Sequence, residues 1–199
     1  MKSLNFLVAG VGGQGTLLAS DILAEVGMRA GYDAKKSDVL GLAIRGGSVL
    51  SHVRWGDHVA SPVVRRGQMD FMLAFEPLEA IRGAELMRPT GTIVCNTQPV
   101  VPISVSSGDE TYPERADIES ALSATASVVQ YIDATREAVR VGNVKTTNVI
   151  MLGAFSAFLD IAADIWEDVV LLRVPARFVD LNRVAFRAGR SLVEEGVKQ

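Results

Sequence analysis

The hydrophobic pattern at the start of the chain predicts a buried strand followed by an amphipathic helix. The run "LNFLVAG", residues 4–10, is uncharged and ends in glycine, which is typical of a strand buried in a parallel sheet. In "TLLASDILAEVGMRAG", residues 16–31, apolar residues recur on one face at helical spacing, and Gly31 stands where the helix should end. The two segments predict the first half of a strand–helix–strand unit.

Further strands and helices alternate along the chain. The segment "GSVLSHVRWGD", residues 47–57, alternates between apolar and polar positions and predicts a half-exposed strand. The segment "EPLEAIRGAELM" predicts a helix with Pro77 in its first turn. The other patterns predict buried strands at 70–75 and 91–96, weaker strands at 32–39 and 127–133, a helix at 116–126, a long connection at 97–114, and mostly helix from Ala134 onwards.

This alternation favours an α/β fold. Strands that alternate with helices form a parallel sheet covered by helices on both faces. We therefore predict a Rossmann-like, mostly parallel sheet with helices on both faces and a helical C-terminal part. A chain of 199 residues is long enough for one core. We expect a single domain over residues 1–199, with the α/β part at about 1–133 and the mostly helical part at about 134–199.

A glycine-rich turn follows the first strand. In "VAGVGGQGTL", residues 8–17, the glycines at positions 10, 12 and 15 match the spacing G-x-G-x-x-G of dinucleotide-binding loops. In that interpretation Gly10 makes the tight turn, Gly12 admits a ligand to the backbone, and Gly15 allows close packing of helix and strand. The amide groups at the helix start would favour an anion. The alternative is a tight turn that binds nothing.

The residues after the first helix argue against NAD as the ligand of this loop. A dinucleotide site needs an acidic residue about 20 positions beyond the glycines to hold the ribose. Here Asp33 and Asp38 flank Lys35 and Lys36. The two lysines either favour a phosphate over a ribose hydroxyl or are solvated surface residues.

Composition and charge narrow the function classes. The net charge of −3 carries no signal for a polyanionic partner, so we expect no nucleic-acid binding. The single cysteine, Cys95, cannot supply the roughly four thiolates of an iron–sulfur cluster, and it suggests a reducing cytoplasm. The two histidines have no metal-ligand spacing, so we predict no metal site. The longest uncharged stretch is too short for a membrane span, and the N-terminus has no signal-peptide pattern.

Three further features point to interactions. Arg45 precedes Gly46 and Gly47, so its guanidinium could face a carboxylate or phosphate, or could simply lie beside a flexible surface turn. The segment 148–166 is apolar nearly all round if helical, so it is either fully buried or part of an interface. We favour the interface, and with it a homodimer of the isolated chain. The arginines at 183, 187 and 190 form a helical stripe that acidic neighbours can pair with, or that an acidic partner could bind.

Four segments in order carry a family resemblance: "GVGGQG", "AIRGGSVLSHVRWGD", "FEPLEAIR" and "GNVKTTNVIMLGA". On these segments the chain resembles the gamma-type subunit of 2-oxoacid:ferredoxin oxidoreductases, and most resembles the beta subunit of the indolepyruvate-specific group. The resemblance runs over nearly the whole chain and is weakest at 97–114 and in the last helix. Neither the "GVGGQG" element nor the "RGG" element would be specific for the family alone, but the two together are.

The resemblance implies an accessory role in a larger enzyme. Such complexes decarboxylate a 2-oxoacid on thiamine diphosphate, pass electrons through iron–sulfur clusters to ferredoxin, and transfer the acyl group to coenzyme A. The resemblance implies that thiamine diphosphate, Mg²⁺ and the 4Fe–4S clusters lie on partner subunits. It also implies that this chain binds no cofactor firmly and has no catalytic residue. The residues expected to border coenzyme A or the active site are Gly10, Gly12, Gly13, Gln14, Gly15, Arg45, Gly46 and Gly47.

Two other functions remain open at this point. A stand-alone NAD(P)-dependent oxidoreductase would need a convincing acid, base or nucleophile, and the sequence offers none. A nucleotide-sensing or scaffold module would use the glycine loop alone. The sequence does not distinguish indolepyruvate from pyruvate or related 2-oxoacids as the substrate of the complex.

Overall fold

The fold is a six-stranded sheet in the order β2–β3–β1–β4–β5–β6, with helices on both faces. The computed structural model describes residues 3–41 and 46–196. The strands are β1 (Leu4–Val11), β2 (Asp33–Leu40), β3 (Ser48–Gly56), β4 (Met69–Ala74), β5 (Met87–Asn96) and β6 (Val128–Ile132). The helices are α1 (Thr16–Arg29), α2 (Pro77–Gly83), α3 (Ile103–Ser106), α4 (Arg115–Ser123), α5 (Ala134–Val141), α6 (Thr147–Ser156), α7 (Ala163–Leu172) and α8 (Val179–Gly196).

The predicted fold class is confirmed. β1, β4, β5 and β6 are parallel neighbours, and β3 is antiparallel to both β1 and β2. β2 therefore runs in the same direction as β1, and β3 is the one reversed strand of the described sheet. As a result, the carboxyl ends of the other five strands meet at one edge of the sheet. We call it the C-terminal edge.

Local chemistry explains where α1 and α2 begin and end. Pro77 occupies the first turn of α2, where its missing N–H is not needed, and the Glu76 carboxylate accepts the Glu79 N–H at 2.9 Å. α1 ends in a left-handed Gly31, and the N–H groups of Gly31 and Tyr32 bond back to Met28 and Gly27. This pattern is a Schellman motif, as the glycine at this position predicts.

Two apolar cores lie on opposite faces of the sheet. One face packs against α1, α6, α7 and α8, and its centre is an aromatic cluster in which the Phe6 ring lies 4.5 Å from Trp55 and 6.2 Å from Phe155. The other face packs against α2 and α4 and is rich in methionine and alanine. No described helix is long and apolar enough to cross a bilayer.

The apolar segment for which an interface is favoured is buried within the chain, which is the alternative interpretation. The first helix ends at Ser156, so the segment 148–166 forms most of α6 and the start of α7. Every residue of α6 from Val149 to Ser156 is buried. Phe155 is 0% exposed because the sheet, α1, α5 and α8 surround α6. The interface interpretation of this helix was wrong. The predicted homodimer loses its main support and stays a prediction.

Candidate functional site

The glycine loop lies at the C-terminal edge, at the point where the sheet's connections change face. α1 follows β1 onto one face, and α2 follows β4 onto the other. In open α/β sheets this crevice between two adjacent strand ends is the usual ligand site. The backbone geometry of the loop then decides what it can hold.

The structure shows what surrounds the glycines of the loop. Gly10 lies within β1 rather than at the turn, and a Cβ there would come within 2.7 Å of Thr16 Oγ1. The backbone of Gly47 approaches Gly12, whose N–H bonds Gly47 O at 2.8 Å. Gly15 is left-handed, with φ of 84°, and packs against Asn148 at the start of α6. Gly13 is also left-handed and faces open space.

The side chain of Gln14 occupies the crevice between β1 and β4. Its Oε1 accepts the Val11 N–H at 2.8 Å, and its Nε2 donates to Phe75 O at 3.2 Å. The amide therefore satisfies backbone groups at the ends of both strands. Gln14 therefore ties the glycine loop to the ends of β1 and β4.

Gly46 and Gly47 are hydrogen-bonded to the glycine loop. In addition to the Gly12–Gly47 bond, Gly46 N–H donates to Gly12 O at 3.3 Å. Ser48 Oγ then donates to Glu79 Oε2 at 2.5 Å, and Glu79 is buried and paired with Arg82. Gly46 and Gly47 therefore join the site, while the predicted anion contact of Arg45 lies outside the described residues.

A polar cleft of about 200 Å³ opens beside the glycine loop. It lies where β1, β4, β5 and β6 end and where α6 begins. Its polar lining consists of Gln14, Asn96, Gln98, Thr135, Lys145, Thr147 and Asn148, together with Gly13. The sequence pattern missed Asn96, Thr135 and Lys145 as site residues. The available signal was that Asn96 ends one predicted strand, that Thr135 lies two residues after another, and that Lys145 belongs to the segment "GNVKTTN".

The polar cleft has the chemistry of an anion site. The N-termini of α1 and α6 both border it, and helix N-termini carry partial positive charge. At α6 two of the first amides are already used within the chain, since the Thr147 N–H bonds Val144 O and the Val149 N–H bonds Asn148 Oδ1. Lys145 lines it and has no carboxylate partner among the described residues. Asn96 is held in place, with Nδ2 donating to Phe75 O at 3.2 Å and Oδ1 accepting the Ala134 N–H at 3.2 Å.

A second cleft, of about 410 Å³ and mostly apolar, lies on the other side of the loop. Gly13 borders both clefts. The remaining lining of this apolar cleft is Val11, Gly12, Gly15, Thr16, Leu17, Leu40, Gly41 and Val49.

The lysines of β2 are tied to internal acids. Lys36 Nζ lies 2.6 Å from Asp21 Oδ1 and 2.9 Å from Asp38 Oδ2. Burial opposes the charge of Lys36, but these carboxylates outweigh it and raise the pKa of the lysine. Lys35 Nζ bonds Val59 O and Asp33. Neither lysine is free to receive a phosphate.

Asp38 has structural partners of its own. Burial raises the pKa of this carboxyl, but the hydrogen bonds from Ser51 Oγ, at 2.6 Å, and from Lys36 outweigh burial and leave the pKa lowered. The carboxylate is therefore ionised and committed within the chain, and a ribose hydroxyl would have to displace Ser51 or Lys36 to reach it.

Glu76 fixes the connection at 97–114 near the polar cleft. Its carboxylate is buried and accepts the Val100 N–H at 3.2 Å and the Tyr112 hydroxyl as well as capping α2. Burial and the Glu76 contact raise the pKa of the Tyr112 hydroxyl. The "EPLE" segment thus positions both flanks of the site, Glu76 through this connection and Glu79 through Ser48.

The donor groups of the described residues are not arranged to hold a cluster or a metal ion. Cys95 is buried in β5, and burial raises the pKa of its thiol to about 12, so it stays protonated. Within residues 3–41 and 46–196, no three His, Cys, Asp or Glu side chains come together as metal ligands. The arginine stripe of α8 is ion-paired, with Arg183 and Arg187 on Glu167 and Arg190 on Glu194.

Comparison with known proteins identifies the family of this chain. The family described as pyruvate ferredoxin/flavodoxin oxidoreductase matches residues 5–192. Indolepyruvate oxidoreductase subunit IorB of Pyrococcus horikoshii is 36% identical over 198 residues, covering 98% of each chain.

Two solved structures share the fold. The gamma subunit of a keto/oxoacid ferredoxin oxidoreductase from Geobacter sulfurreducens superposes with a TM-score of 0.71 at 24% identity, over 96% of this chain and 99% of that one. A 2-oxoglutarate:ferredoxin oxidoreductase from Magnetococcus marinus, with 2-oxoglutarate, coenzyme A and succinyl-CoA bound, gives a TM-score of 0.74 at 20% identity. It matches 98% of this chain but only 32% of its own.

Proposed function

Because this chain belongs to the pyruvate ferredoxin/flavodoxin oxidoreductase family, we propose that it is the accessory subunit of a 2-oxoacid:ferredoxin oxidoreductase. The observation that carries the proposal is the full-length similarity to an indolepyruvate oxidoreductase subunit, which makes indolepyruvate or a related keto acid the expected substrate of the complex. The 4Fe–4S clusters are assigned to partner subunits, since this chain has one cysteine and that thiol is buried and protonated. Thiamine diphosphate and Mg²⁺ are assigned to partner subunits as well, because the family resemblance implies it. Ferredoxin would then receive electrons from the partner, in the cytoplasm.

Within that complex we propose that the chain borders coenzyme A, which is the acyl acceptor. The polar cleft supports this role because two helix N-termini and Lys145 favour phosphate oxygens, while Gly13 leaves the backbone open. Gln14, Gly46 and Gly47 hold the loop in shape rather than reacting. The chain would bind and orient the co-substrate, and the bond-making steps would occur on the partner.

The test is a comparison of the isolated chain with the assembled complex. With a 2-oxoacid, thiamine diphosphate, Mg²⁺, coenzyme A and an electron acceptor, the isolated chain should give no turnover, and addition of the larger subunit should restore it. Turnover by the isolated chain would contradict the accessory role. Failure of the two subunits to form an active complex would contradict the proposed function as a whole.

The coenzyme A role has its own test in the assembled complex. Lys145→Gln should raise the KM for coenzyme A about tenfold, which corresponds to the loss of about 1.4 kcal/mol of a charge-assisted contact. The kcat at saturating coenzyme A should change little because Lys145 is not placed at the reacting atoms. Arg66→Gln is the matched control, since Arg66 is an exposed cation paired with Glu85. An unchanged KM for coenzyme A in Lys145→Gln would show that the polar cleft is not part of the coenzyme A site.

A further inference from the structure

Two side-chain amides meet at one backbone carbonyl that lines the polar cleft. Gln14 Nε2 and Asn96 Nδ2 each donate to Phe75 O at 3.2 Å. A carbonyl oxygen has two acceptor lone pairs, so it can accept from both amides at once. We call Gln14, Asn96 and the Phe75 carbonyl the amide bridge. Because Phe75 follows β4 and Asn96 ends β5, the bridge joins the glycine loop to the ends of both strands through a single acceptor.

The outer ends of the amide bridge hold two further backbone groups. Gln14 Oε1 accepts the Val11 N–H at 2.8 Å, and Asn96 Oδ1 accepts the Ala134 N–H at 3.2 Å. Val11 ends β1, and Ala134 is the first residue of α5, which follows β6. The bridge therefore runs across the C-terminal edge from the end of β1 to the start of α5, and connects segments that are distant in sequence.

The amide bridge is anchored in the buried part of the site. Phe75 and Asn96 are each 1% exposed, so a hydrogen bond lost there leaves a buried polar group without a partner. The Phe75 N–H also bonds Ala9 O at 2.8 Å, which fixes this residue against β1. Gln14 is only half-buried and belongs to the loop in which Gly13 faces open space. The bridge therefore fixes the position of the loop relative to the sheet.

We propose that Gln14 and Asn96 are positioning residues that act as one unit. They hold the glycine loop and the start of α5 at the separation at which the polar cleft receives the phosphate groups of coenzyme A. The inference rests on the proposed function and adds which residues shape the site and that they are coupled. Because both amides share one acceptor, the loss of either one frees the Phe75 carbonyl to turn and weakens the hydrogen bond of the other.

The experiment is a double-mutant cycle in the assembled complex with the larger subunit. Gln14→Met and Asn96→Leu remove the amides and roughly preserve the size of the side chains. Each should raise the KM for coenzyme A about fivefold, the effect expected for the loss of one hydrogen bond. The double variant should stay below about tenfold, well under the product of the two single effects, because residues of one hydrogen-bond network do not contribute additively.

Two readouts separate positioning from a merely structural role. The kcat at saturating coenzyme A and the KM for the 2-oxoacid should stay within about twofold of the unmodified complex, because only binding of coenzyme A is affected. The matched control is Asn5→Leu, which removes a bond of the same kind, from Asn5 Nδ2 to Gln68 O at 3.0 Å. Asn5 lies near the start of β1 and Gln68 precedes β4, at the opposite edge of the sheet. This variant should leave the KM for coenzyme A unchanged.

Thermal melts of each variant come first, and Asn96→Ala replaces Asn96→Leu if that variant does not fold, since the smaller side chain admits a water molecule. A rise of about 25-fold in the double variant would show that the two amides act independently. Unchanged KM values in both single variants, or an equal rise in Asn5→Leu, would show that the amides do not position the cleft. Each of these results overturns the inference while the proposed function stands. An unmodified complex without activity overturns the proposed function and the inference with it.

Discussion

Gly15 carries two constraints at one position. Its φ of 84° lies in the left-handed region, and a Cβ there would come within 2.6 Å of Asn148 Nδ2. Alanine at a left-handed position costs at least about 1 kcal/mol of stability, and displacement of Asn148 would add to that cost. We expect Gly15→Ala to lower the free energy of unfolding in urea by more than 1 kcal/mol, on the order of the cost of backbone strain plus a lost contact.

Gly13→Ala is the matched control for that substitution. Gly13 is also left-handed, with φ of 105°, but a Cβ there meets no atom within 4 Å. It should carry the backbone strain alone, so its loss should be the smaller of the two. Equal losses in the two variants would mean that the contact between Gly15 and Asn148 does not constrain the loop.

His52 makes the stability of the protein depend on pH. It is buried in β3, its Nδ1 accepts the Val64 N–H at 3.3 Å, and burial lowers its pKa from 6.5. Below pH 6.5 the unfolded chain binds a proton that folded His52 does not, so the free energy of unfolding should fall as the pH falls from 6.5 toward the lower folded value. Urea denaturation at several pH values between 5 and 7.5 measures this slope.

One variant separates His52 from other titrating groups. His52→Asn removes the titration and should flatten the slope below pH 6.5. The assignment would be wrong if the His52 variant retained the full dependence on pH.

At the level of elements, α6 and α8 contact each other at their backbones. A Cβ on Gly153 of α6 would lie 2.0 Å from Phe186 O, and a Cβ on Gly189 of α8 would lie 2.0 Å from Ile150 O. These glycines allow the helices to approach closely enough for α6 to be buried against α8. Neither carbonyl can move without shifting its helix.

We expect Gly153→Ala and Gly189→Ala each to destabilise the fold by about 3 kcal/mol, the upper range for overpacking in a core. Thermal or urea unfolding measures the loss. Ser191→Ala, on an exposed position of α8, is the control and should stay within about 0.5 kcal/mol of the unmodified protein. A loss below 1 kcal/mol in both glycine variants, on the order of propensity effects alone, would show that the two helices separate at little cost.

For the whole molecule, the topology determines how the glycine loop can be used. In dinucleotide-binding folds the acid that holds the ribose ends the strand beside the first one. Here the reversed strand β3 lies between β1 and β2, so the end of β2 is one strand further from the loop. Its acid, Asp38, is already paired with Lys36 at 2.9 Å.

We therefore expect NADH and NADPH to bind the isolated chain weakly or not at all. Calorimetry should give a Kd of about 1 mM or weaker, equivalent to at most about −4 kcal/mol. A Kd near 1 µM, about −8 kcal/mol, would contradict this expectation and favour a dehydrogenase.

Much of the secondary structure was predictable because it depends on neighbours in sequence. The apolar runs predicted the buried strands, Pro77 marked the start of α2, and Gly31 marked the end of α1. The motif segments also predicted the family that the comparisons confirm. These features follow from backbone preferences and local periodicity, which a short stretch of sequence determines by itself.

The site itself depended on contacts between residues distant in sequence. The motif spacing located the loop, but only packing showed that Gly10 accommodates Thr16, that Gly12 meets Gly47, and that α6 is buried rather than exposed. Lys145 joins the glycine loop only because α6 begins beside α1 at the C-terminal edge. Helical periodicity shows that a helix is apolar but not what covers it, since burial is decided by the other elements of the fold.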